Sequence, residues 1–206
     1  MTLTPTSPAA IDGDSETRAT PVSHLLKAGG VITDEWQTFT PPADDASSNG
    51  STTDTPAIGA RSGAPLPPDA PYWIVPLSVW VEHAATLRSR VHPVGIRIEP
   101  ADDPRALLHT GDAHIDPAGI ALIAVAFPSF NDGRGYSHAY ALREHLGYTG
   151  ELRAVGDVLI DTMFYLSRCG FDSYTLKAGH DPVEALKALN TFSQRYQKGY
   201  REIRQA

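Results

Sequence analysis

The stretch IALIAVAFPSFNDGRGYSHAYALREHLGYTGELRAVGDVLIDTMFYLSRCGFDSY, residues 120–174, decides the fold. Ile120 to Phe127 is almost continuously apolar, the pattern of a strand covered on both faces. A loop with Gly133 and Gly135 follows, and then a segment from Gly135 to Leu146. Ala139, Leu142 and Leu146 recur there at helical spacing. Gly147 and Gly150 end that helix. Leu152 to Val155 reads as a short strand, Asp157 to Arg168 as a helix with Leu159, Met163 and Leu166 on its apolar stripe, and Phe171 to Leu176 as another strand. Strand and helix alternate, which predicts parallel pairing through right-handed crossovers.

Working outward, Tyr72 to Leu77 and Val94 to Ile98 add two strands. Between them lies a helix to about Arg90, with Ser78 as its expected cap. Asp102-Asp103-Pro104 starts a short helix to His109, and Asp181-Pro182 starts a last helix. That helix is expected to continue past Tyr196 into a basic end with Arg195, Lys198, Arg201 and Arg204. The expected fold is an α/β domain of three layers with a mostly parallel sheet of about five strands. A partial β/α barrel is the alternative.

Four regions follow from composition. Residues 1–20 are Thr, Ser, Pro, Ala and acid and are expected to form a disordered tail. Residues 21–40 change character around Val31-Ile32-Thr33 and Trp36 to Phe39, a strand or hairpin edge packed on the core. Residues 41–70 are a low-complexity linker. Residues 71–206 hold the α/β core.

The 206 residues carry a formal charge of −7, which disfavours general attraction to nucleic acid or an anionic membrane. No apolar run has the length of a membrane span. A single cysteine, Cys169, forbids an internal disulfide and fits a reducing compartment. The first residues lack a secretory signal pattern. A cytoplasmic protein is expected.

Ligands of open parallel sheets bind beyond the carboxyl ends of the strands. This selects Pro128 to Gly135, then Gly156-Asp157, then Lys177 to Asp181. In the first loop Gly133, Arg134, Gly135 and Ser137 combine tight turning, a planar cation, a hydroxyl and a helix start, a set suited to an anion. The other reading is a tight turn in which Arg134 pairs with a local carboxylate. Arg153 lies inside a covered strand, so it must be paired or must line a cavity. Asp161 and Asp132 are its candidate partners. Lys177 completes the anion-binding candidates, and Asp132 and Asp157 are the candidate general bases. Asp157 also suits a helix cap, with Asp161 and Arg168 as a surface pair. Cys169 reads as a buried, inert thiol. His138 and His145 lack further ligands at metal spacing, so no metal site is expected. The glycine spacing matches neither nucleotide fingerprint, and nothing holds a haem or an iron–sulfur cluster.

Phe127, Pro128, Phe130, Asp132 to Gly135, Ser137 and Leu142-Arg143 carry a resemblance, together with Gly150 to Asp157, Asp161 and Arg168 to Asp172. The chain, from about Leu25 to Tyr196, resembles the bacterial domain of unknown function 934 family, described as an oxidoreductase associated with sulfite reduction. The resemblance implies a role in assimilatory sulfur metabolism beside a sirohaem sulfite or nitrite reductase, with that reductase or its electron donor as partner. It supplies no catalytic residues. A small α/β enzyme acting on an anionic metabolite is the alternative.

Overall fold

The computed structural model describes residues 24–41, 66–192, 196, 199 and 200. The expected tail, most of the linker and most of the basic end lie outside these residues.

The central strand is where its composition puts it. β6 spans Ile120–Phe127, flanked by β5 (Val94–Ile98) and β7 (Glu151–Gly156), both parallel to it. β4 (Trp73–Pro76) lies beyond β5, and β8 (Ser173–Thr175) beyond β7. The N-terminal region adds three more strands: β1 (His24–Lys27), β2 (Gly30–Thr33) and β3 (Gln37–Thr38). β1 pairs antiparallel with both β2 and β8, whereas β3 pairs parallel with β4 at the other edge. The sheet therefore has eight strands in the order β2-β1-β8-β7-β6-β5-β4-β3, not five.

Chain connectivity forces this sheet to curl. Strands sit about 4.8 Å apart, so a flat sheet would hold its outer strands about 34 Å apart. β2 ends at Thr33 and β3 begins at Gln37, on opposite edges. Four Cα steps reach at most about 15 Å. The sheet must bend round until residues 34–36 can strap its two edges together, which makes it a half-barrel.

The strand order also corrects the three-layer expectation in favour of the partial barrel. β4 to β8 are parallel neighbours in chain order, so right-handed crossovers put every connecting helix on one face. These helices are α1 (Leu77–Arg88), α2 (Arg134–Tyr140) and α3 (Met163–Arg168), and α4 (Pro182–Leu189), which follows β8, packs beside α3. Ile96, Ile98, Ile123, Val125, Phe127, Leu152, Ala154 and Tyr174 face them in the main core. The inner face holds a smaller cluster of Ile74, Leu122 and Ala124, closed by Trp36 and Val155. The second cover of β6 is thus the strap, which explains why this strand reads as buried on both faces.

Helix boundaries differ from expectation where local chemistry intervenes. α1 starts at Leu77 without a side-chain cap, so Ser78 lies within its first turn. α2 widens into a π-turn over Ala141–His145, where Leu146 N–H reaches Ala141 O at 2.9 Å. α4 ends at Leu189 with Asn190 as its C-cap, short of Tyr196. Asp157 does not start a helix. A 3₁₀ turn at Ile160–Thr162 leads into α3, and Asp157 is used elsewhere.

Arg143 fastens the π-turn to the sheet. It is buried, and its guanidinium donates to Gly170 O twice, to Tyr148 O and Gly150 O, and to Asp172 at 2.5 Å. One planar fork therefore satisfies three carbonyls from two turns.

Candidate functional site

The carboxyl ends of β6, β7 and β8 form one rim, and Asp157 is its junction. Gly156 ends β7 with φ +101, a conformation that an L side chain rarely adopts. A Cβ there would lie 2.5 Å from Phe127 O, so only glycine permits this approach. The turn places Asp157 N–H 2.7 Å from Phe127 O. The Asp157 carboxylate accepts the Phe130 N–H at 3.0 Å and meets Lys177 Nζ at 2.6 Å. Three loops are thus tied to one carboxylate. Lys177, pairing with it first, and the Phe130 amide hold its pKa below the usual carboxylate value.

Asp132 and Arg134 sit on the first of these loops. Arg134 donates to Asp132 from Nε at 3.0 Å and from Nη2 at 2.7 Å, and its backbone N–H donates to the same carboxylate at 3.1 Å. These contacts depress the Asp132 pKa to about 2. The anion at the start of α2 is therefore the chain's own Asp132. Gly135 has a packing role, because a Cβ there would lie 2.5 Å from the Phe127 ring. Gly133 borders open space and Ser137 is exposed.

Arg153 lies apart from the rim, on the inner face of the half-barrel, and is only 1% exposed. Its partners are not Asp161 or Asp132. It donates to Glu151 at 2.8 and 3.2 Å, to Ser173 at 3.3 Å and to Asp34 of the strap at 3.1 Å, beneath the Trp36 ring. Asp34 also accepts from Thr175 at 3.1 Å, and Lys27 pairs with Glu151 at 2.5 Å. Burial pushes the Glu151 pKa up, but Lys27, Ser173 and Arg153 outweigh it and the net shift is downward. Arg153 thus latches the strap.

Each of the three cations among the anion-binding candidates meets a carboxylate of the chain: Arg134 meets Asp132, Lys177 meets Asp157, and Arg153 meets Asp34 and Glu151. The rim brings together Asp132, Arg134, Asp157 and Lys177. It also presents Phe130, 56% exposed, on a backbone pinned by Asp157. An apolar ring within the polar run Ser129 to Asp132 is the sequence signal that marks it. Cys169 is half-buried, and burial raises its thiol pKa against the opposing pull of Arg168. No group of three metal-ligating side chains occurs among the described residues, and no described helix is long and apolar enough to cross a membrane.

Fold and rim define a β/α half-barrel with an ion-paired carboxyl edge. The chain belongs to the family described as bacterial protein of unknown function (DUF934), whose model matches residues 95–205, more than half of the chain. The match begins inside β5 and takes in the whole rim from there on. No curated protein and no solved structure matches the chain.

Proposed function

We propose that this protein is an accessory component of assimilatory sulfite reduction, docking by its carboxyl rim to a sirohaem-dependent sulfite or nitrite reductase or to that enzyme's electron donor. The pathway is the one that the resemblance implies. The observation that carries the docking role is Phe130, an exposed ring on a pinned loop that also bears Arg134. Aromatic and arginine side chains on fixed backbone are the usual anchors of protein interfaces. Arg134 and Lys177 are 60% and 53% exposed in their side chains and already paired, which suits them to surface matching.

Docking is favoured over general-base catalysis by the two rim carboxylates. Asp132, at about 2, and Asp157, also lowered, are weak bases near neutral pH. A thiol with a raised pKa is likewise a weak nucleophile, which disfavours redox chemistry at Cys169.

The test is growth of a deletion strain. The expected result is slow growth with sulfate as sole sulfur source and normal growth with cysteine. Wild-type growth on sulfate would overturn the proposal.

A further inference from the structure

We infer that the loop after β8 holds a small inorganic oxyanion of the sulfate, sulfite or phosphate class. A cavity of about 380 Å³ opens there, bordered by His24, Lys177, Ala178, Gly179, His180 and Asp181. It lies at the carboxyl end of a parallel strand, where such sheets bind ligands. The inference deepens the rim reading and shares Lys177 with it.

The lining is rich in donors. The Lys177 ammonium carries three N–H groups, and Asp157 Oδ1 faces it from one side at 2.6 Å. His180 N–H closes a turn onto Lys177 O at 3.3 Å, with Gly179 at φ +92. This turn leaves the Ala178 and Gly179 amides without a protein acceptor among the described residues. Ala178 and Gly179 are both exposed, and nothing lies within 4 Å of a Cβ built on Gly179. Successive free amides beside a cation form a concavity for anions. His24 and His180 border the same space, and His180 is near enough to Asp157 to help lower its pKa. The carboxylate on the cavity edge, Asp181, is turned to its own helix, where Oδ1 accepts Val183 N–H at 2.8 Å.

The experiment is a titration of the full chain with sodium sulfate, read by amide NMR, with sodium chloride at matched ionic strength as control. Saturable shifts of the Ala178, Gly179 and His180 amides are expected with sulfate alone. Lys177→Met and His180→Asn should each weaken binding about tenfold, the worth of one charge-assisted hydrogen bond. Lys177→Arg keeps the charge and the Asp157 pair and should retain binding, which separates loss of a ligand contact from collapse of the loop. The inference is overturned by an unsaturated response, by an equal response to chloride, or by wild-type affinity in both weakening variants. Growth on sulfate separates the two proposals. Sulfate binding with normal growth of the deletion strain would leave this site standing and remove the metabolic role. Slow growth without sulfate binding would do the reverse.

Discussion

Substituting Asp34→Ala removes one side chain from the strap and tests the curled sheet. Arg153 Nη1, Thr175 Oγ1 and the Trp36 N–H each lose an acceptor, at 3.1, 3.1 and 3.2 Å. Breaking a buried ion pair by removing one partner costs about 3–5 kcal/mol. Arg153 keeps Glu151 and Ser173 as partners, so the lower end, about 3 kcal/mol, is expected. That is a large share of the stability of an ordinary domain. The assay is guanidinium unfolding followed by circular dichroism, run as a double-mutant cycle with Arg153→Met. The double variant should be more stable than the sum of the single losses predicts, by about 2 kcal/mol. Asp34→Ala within about 0.5 kcal/mol of wild type, or an additive cycle, would refute the latch.

Three further predictions concern stability. Arg143→Met should cost about 3–5 kcal/mol in the same unfolding assay, because the Gly170, Tyr148 and Gly150 carbonyls lose their donor; Arg143→Lys should rescue little, since an ammonium lacks the planar fork. Gly156→Ala should cost at least about 2 kcal/mol, from positive φ and contact with Phe127 O, and a smaller loss would contradict the described turn. Asp132, Asp157 and Glu151 have lowered folded-state pKa values, so their stabilisation is complete above the unfolded values near about 4 and is lost as pH falls through the folded ones. The melting temperature should therefore be flat from neutrality to about pH 5 and drop below about pH 4, and a flat profile down to pH 2 would count against these pairings.

Much of the sheet is legible in the sequence, because burial on both faces writes itself as an unbroken apolar run. Val94 to Ile98 and Ile120 to Phe127 have the boundaries that their composition predicts. The N-terminal hairpin is legible as strands but not as sheet edges. Its short segments carry no sign that β1 pairs with β8 and β3 with β4. Arg153 shows the same division. Its need for a partner follows from one charge in a covered strand, yet Asp34 lies 119 residues away and only the curl of the sheet brings it near. Arg143 looks like one helical cation among several, since only the fold brings its acceptors at Tyr148, Gly150, Gly170 and Asp172 together. The loops of the rim are legible because strand ends and glycines mark them. Which carboxylate neutralises which cation is settled by backbone turns, such as Gly156, that position Asp157.

The docking role is tested most directly by measuring binding between the purified protein and the sirohaem sulfite reductase of the same cell, alongside a Phe130→Asp variant with an unchanged melting temperature. Saturable binding by the wild type, lost in the variant, is the predicted result. Equal binding by both proteins, or none by either protein to the reductase and its electron donor, would contradict a rim built for docking.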